Sequence, residues 1–160
     1  MQLRKSPALP AIFWAGLIAG AMDITAAFVT WAPQGVSPIR ILQGIASGLL
    51  GAQSFAGGWK TAALGLVCHF FIAFLAATVF YLASRKIALM THRPILSGIL
   101  YGVAVYLVMY WIVMPLSNFH KRPFSWSATM IAIITHMVCV GSPISLVINR
   151  YSRGSTLESN

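Results

Sequence analysis

One carboxylate and two imidazoles fall at a single depth in a chain that is otherwise poor in ionisable groups. Asp23 lies inside the apolar run from Ala11 to Ala32, and the only other acidic residue is Glu158. Asp23 comes eight residues before Trp31, His69 ten after Trp59, and His136 ten after Trp126. At about 1.5 Å of helix rise per residue, Asp23 then lies about 12 Å from the level of the tryptophans and each histidine about 15 Å. That is the middle of a hydrocarbon layer about 30 Å thick.

Three chemistries suit such a layer. A carboxylate that accepts hydrogen bonds from one or both imidazoles fixes helix register and needs no reaction. The same groups can hand on protons, which would make the layer the centre of proton-linked transport or conduction. Histidines on two helices can also ligate a haem from both sides. With Cys139, on nearly the face of His136, they could instead hold zinc or copper. Cys68 adjoins His69 but points about 100° away from it. No CxxC, CxxCH or HExxH motif accompanies these residues, so neither a metal nor another cofactor is expected.

Enzymatic chemistry is not expected either. Two acidic residues in 160 leave no carboxylate pair, and neither a phosphate-cradling glycine loop nor a Ser-His-Asp set appears. Hydrophobic residues make up 58% of the chain and charged residues 8%, with a mean hydropathy of +0.79. Soluble domains carry about 25% charged residues. The deficit excludes an ordinary water-soluble globule and leaves an all-α membrane protein. At about 20 residues per crossing, four crossings and their connections use the whole length as a single transmembrane domain. The net charge of +9 does not point to nucleic acid, because the eleven Lys and Arg fall at the ends of the apolar runs. There they orient the chain in the bilayer and meet anionic headgroups. Arg4 and Lys5 precede an apolar stretch too long for a signal peptide and interrupted by Asp23, so an uncleaved first span is expected.

The four apolar segments are roughly 11–32, 59–84, 95–116 and 126–149. A shorter, weakly amphipathic piece, 41–55, lies between the first two. Charge decides whether it is a fifth crossing. With four crossings, Arg4, Lys5, Arg85, Lys86, Arg93, Arg150 and Arg153 share one side, against Arg40, Lys60, Lys121 and Arg122, seven to four. Five crossings would give five against six. The positive-inside rule therefore predicts four crossings with both termini cytoplasmic, and a re-entrant or interfacial helix on the periplasmic side. Trp31, Trp59 and Trp126 would mark the outer interface, and the loop with His120-Lys121-Arg122 would be a solvated turn there.

The residue spacing reads as two related halves. Gly16 and Gly98, Gly20 and Gly102, and Pro33 and Pro115 are each 82 apart, while Trp59 and Trp126, and His69 and His136, are 67 apart. The difference, 82 − 67 = 15, is about the length of the extra helix. A parallel duplication of a two-helix unit, with the short helix inserted in the first copy, accounts for both offsets. Gly16-xxx-Gly20, Gly44-xxx-Gly48 and Gly98-xxx-Gly102 are candidate packing faces. Tyr101, Tyr106, Tyr110 and Trp111 are expected to be packing or interface anchors.

The run 15–20 with Asp23, the stretch Arg40 to Gly51, His69-Phe70-Phe71-Ile72-Ala73, Gly98 to Val103 and the ending around His136 resemble small multi-pass inner-membrane proteins of proteobacteria. Among named groups, the resemblance is to the YagU-like proteins. The resemblance implies a bacterial inner-membrane location and supplies no substrate or reaction. Four spans are few for a transport path, so a transporter or channel of this size is expected to work as a homo-oligomer. A scaffold or accessory subunit in the bilayer is the competing class.

Overall fold

The structure is a computed structural model that describes residues 8–118 and 125–157, the side chains of 153–157 excepted. Arg4, Lys5, Glu158 and the His120-Lys121-Arg122 loop lie outside the described residues. Six helices follow one another: α1 (Ala8–Trp31), α2 (Pro38–Leu50), α3 (Gly58–Ser84), α4 (Ala88–His92), α5 (Pro94–Leu116) and α6 (Trp126–Ser152, helical on to Leu157). Among the described residues there is no strand. α1, α3, α5 and α6 are long and apolar enough to cross a membrane.

Burial is inverted relative to a water-soluble protein. Ala11, Ala15, Ala19, Ala46, Ala62, Ala73 and Ala77 are buried, as are Gln43, Ser47, Ser97, Ser145 and Asn149. Trp59, Phe71, Val67, Trp111, Leu116 and Trp126 are exposed. Small side chains bring backbones together and polar ones find partners inside, while lipid solvates the large apolar ones.

Local chemistry sets the helix ends. The Ser37 hydroxyl accepts from the Arg40 N–H at 3.3 Å and Pro38 occupies the first turn of α2, a standard helix start. α2 ends at Gly51, and α3 begins at Gly58, both at positive φ (62° and 59°), where a side chain would be strained. The Arg40 guanidinium sits 4.1 Å over the Phe55 ring and closes the intervening turn, a cation–π contact. α2 buries Gln43, Ala46 and Ser47 and exposes Ile39, Leu49 and Leu50. It presents its apolar side outward, as a helix in contact with lipid should.

Each of the two later crossings contains a turn of π-helix, Met109–Val113 in α5 and His136–Gly141 in α6. Both stop two residues before a proline, Pro115 and Pro143. Proline offers no N–H to the carbonyl four residues back and its ring pushes that carbonyl aside. The preceding turn therefore widens, and the Met114 and Ser142 N–H groups reach back five residues, to Met109 and Met137.

The crossings pack in the order α3, α1, α6, α5, each beside its neighbour. The Tyr101 hydroxyl joins α5 back to α3 by donating to the Ala76 carbonyl at 2.7 Å. The tight core is at one end: Ala11, Ala15 and Ala19 of α1, Ala77 and Phe80 of α3, and Val140, Ile144 and Ile148 of α6. Toward the other end the packing loosens. α1 buries nothing beyond Ile24, and neither the α6 segment Trp126–Thr135 nor the α5 turn Met109–Val113 buries any residue.

Glycines of the first helix in each half pack against the second helix of that half. Gly16 and Gly20 of α1 lie against Phe74 and Phe70 of α3. Gly98 of α5 lies against Ser142 and Gly141 of α6, and Gly102 against His136 and Met137. Adding 67 to 74 and 70 gives 141 and 137, each within one residue of the nearest contact in the second half. Gly44 is different: no atom lies within 4 Å of where its side chain would start, and Gly48 makes only an ordinary contact with Ser117. The Gly44-xxx-Gly48 pair is thus not a tight packing face. α2 instead docks by laying the Leu42 carbonyl on Gly65 of α3. Its far end is tied to α5, because the Asn118 N–H donates to the Gly48 carbonyl at 2.9 Å and Asn118 Nδ2 to the Leu49 carbonyl at 3.1 Å.

The helix α4 has no counterpart in the sequence reading. Five residues cannot satisfy their own carbonyls, and neighbours do so. Asn149 Nδ2 donates to the Thr91 carbonyl at 2.6 Å, Ser97 Oγ to Leu89 at 3.1 Å, and Ser145 Oγ to Pro94 at 2.7 Å.

Candidate functional site

The midplane residues sit where the packed half of the bundle gives way to the looser half. His69 projects from α3 toward α1, and its Nε2 donates to the Gly20 carbonyl at 2.9 Å. The carbonyl is within reach because Gly20 has no side chain to hold α3 away. His136 opens the π turn of α6, and its Nδ1 donates to the Ala132 carbonyl one turn back, at 2.8 Å. Because a carbonyl can only accept, these contacts put the proton on Nε2 of His69 and on Nδ1 of His136 in their neutral forms.

Neither imidazole donates to Asp23. Among the described residues the half-buried carboxylate has no hydrogen bond and no cationic partner. Its helix, α1, packs against the π turn His136–Gly141 of α6. The carboxylate–imidazole bond expected of a purely structural layer is therefore replaced by two imidazole–carbonyl bonds, and the charge is left over. The acceptors are the Gly20 carbonyl on α1 and the Ala132 carbonyl one turn back in α6.

One residue belongs to the layer that the sequence reading assigned only to packing. Tyr106 is buried, with its ring edge-on to His136 at 5.7 Å, and it stacks on Tyr110 at 5.9 Å. Tyr110 meets Trp111 at 5.4 Å, so an aromatic series leads from the exposed Trp111 in to His136. The signal was present: Tyr106 follows Gly98 and Gly102 at four-residue steps, on the face that packs against α6.

Cys68 and Cys139 are both free thiols. Among the described residues no three His, Cys, Asp or Glu side chains gather as a metal site. His69 holds α1 while His136 bonds within its own helix. An oxidised-minus-reduced spectrum of the purified protein is expected to show no haem band, and elemental analysis no stoichiometric zinc or copper. Replacing His69 by Ala removes the α1–α3 bond and is expected to destabilise the bundle by about 1 kcal/mol, read as a lower melting temperature in detergent.

No family model, no curated protein and no solved structure matches the chain. The functional reading rests on the geometry of Asp23.

Proposed function

We propose that the protein is a small proton-linked transporter or channel of a bacterial inner membrane, working as a homo-oligomer, in which Asp23 takes up and releases the proton. The observation that carries this is the carboxylate itself. Asp23 is the only acidic side chain among the described residues, sits mid-span and lacks both ion pair and hydrogen bond there. A bare charge at that depth costs about 2.5–3.5 kcal/mol on insertion scales. A carboxylate so placed is relieved by a proton, a cation or water, and all three belong to a conduction path. Its neighbours support movement. α1 packs against the π turn that interrupts α6, and such turns recur at functional sites. On one side of it the bundle is tightly packed and on the other it is not.

The topology adopted has both termini in the cytoplasm, which places Arg85, Lys86, Arg93 and Arg150 inside. The inner-membrane location draws on the resemblance to proteobacterial YagU-like proteins. α2 is then an interfacial or re-entrant helix at the periplasmic face, and the unburied outer half of α6 is available to a second copy. The competing reading, a scaffold or accessory subunit, is favoured by the imidazole–carbonyl bonds, which are structural in both halves. Proton flux in proteoliposomes separates the two. A scaffold gives none above protein-free vesicles, and the proposed protein gives flux that depends on Asp23.

A further inference from the structure

The end of the bundle remote from α2 carries a feature that the proton path does not use. A shallow, open groove of about 420 Å³ lies on the exposed side of α5 beside Arg93, lined by Pro94, Ile95, Leu96 and Ile99 of that one helix. Arg93 is exposed at its head, and the Ile95 and Leu96 side chains are exposed along it. The floor is firmly set. Arg93 joins α4 to α5, and Asn149, Ser97 and Ser145 hold the carbonyls of Thr91, Leu89 and Pro94 on either side of it.

Charge complementarity identifies the occupant. Arg85, Lys86, His92, Arg93 and Arg150 are all exposed at this end, and the single described carboxylate, Asp23, is at mid-span. Nothing anionic in the described protein neutralises Arg93. A ligand that fills the groove must therefore carry an anion at the height of the guanidinium and a hydrocarbon chain below it. We propose that this groove binds one anionic glycerophospholipid of the adjoining leaflet, with its phosphate on Arg93 and an acyl chain along Ile95, Leu96 and Ile99. A planar guanidinium grips phosphate through paired N–H donors, and basic residues at a membrane surface select anionic headgroups. Arg40 and Lys60, at the other end, have no part in it.

The test is native mass spectrometry of the full chain in detergent, titrated with phosphatidylglycerol, phosphatidylcholine or inorganic phosphate. One phosphatidylglycerol per chain is expected to survive transfer, at about tenfold higher affinity than phosphatidylcholine. Arg93→Gln should lower phosphatidylglycerol affinity about tenfold, the factor that accompanies loss of one charge-assisted hydrogen bond, while Arg40→Gln leaves it unchanged. Should Arg93→Gln fail to fold, Leu96→Trp fills the groove from a lipid-exposed position and is expected to abolish the bound lipid. Equal retention of phosphatidylcholine overturns the proposal. So does inorganic phosphate that competes as well as the lipid, or lipid retention unaffected by both variants.

Discussion

The Asp23→Asn protein is expected to fold, to melt at the same temperature as the parent or higher, and to lose its pH-dependent proton flux. Asparagine keeps the shape of the side chain and removes the ionisable oxygen. The change relieves whatever cost the bare carboxylate imposes at mid-span, so stability should not fall. A charge worth about 2.5–3.5 kcal/mol at that depth corresponds to about a hundredfold in any equilibrium that it drives. Flux in proteoliposomes is accordingly expected to drop at least about tenfold and to become flat across pH. The measurement is acidification of a vesicle-trapped dye, alongside a detergent melting curve on the same preparation. Undiminished flux from a folded Asp23→Asn variant would remove Asp23 from the proton path. A variant that fails to fold would make the residue structural, contrary to the absence of any partner around it among the described residues.

A large loss of stability is expected at Gly141→Ala. The added methyl would fall on the Gly98 carbonyl and on the Gly102 backbone, and neither can rotate away. Overpacking typically costs about 1–3 kcal/mol, and a clash with backbone on two sides belongs at the top of that range. Gly44→Ala is the matched control. Open space surrounds Gly44, and alanine is the better helix former by about 0.8–1.0 kcal/mol, so that variant should be as stable as the parent or more so. Gly16→Ala should fall between them, because the nearest atoms opposite it belong to the ring of Phe74, which can swing aside. Melting temperatures of the three variants in one detergent check the order. A Gly141→Ala protein as stable as Gly44→Ala would mean that α5 and α6 do not meet as described.

The crossings were legible because lipid imposes a simple demand: about 20 apolar residues with charges at the ends. The same count, from tryptophans taken as interface markers, puts Asp23, His69 and His136 at one depth as an expectation. What escaped depends on contacts between helices. Gly16 and Gly20 read as a packing face, and so they are. Gly44 and Gly48 carry the same spacing but have little or nothing opposite, because spacing says nothing of which way a short helix rolls. Gly141 escapes the pattern because its counterpart in the first half is Phe74, so the repeat gives no glycine to align with it. The partners of the imidazoles were hidden because they are main-chain carbonyls, which every residue has. The π turns were readable in principle from Pro115 and Pro143, but only after each proline is placed inside a continuous helix rather than at its end.

The paired halves also bear on counting. Each copy makes two crossings, so both enter and leave on the same side, and their glycine seams stand the same way up. His69 has its counterpart in His136, but Asp23 has none: 23 + 82 = 105, and that residue is Val105. Two identical units brought together by symmetry would present the acid twice or not at all. Joining them in one chain breaks that constraint and fixes the stoichiometry at one titratable carboxylate for every two histidines.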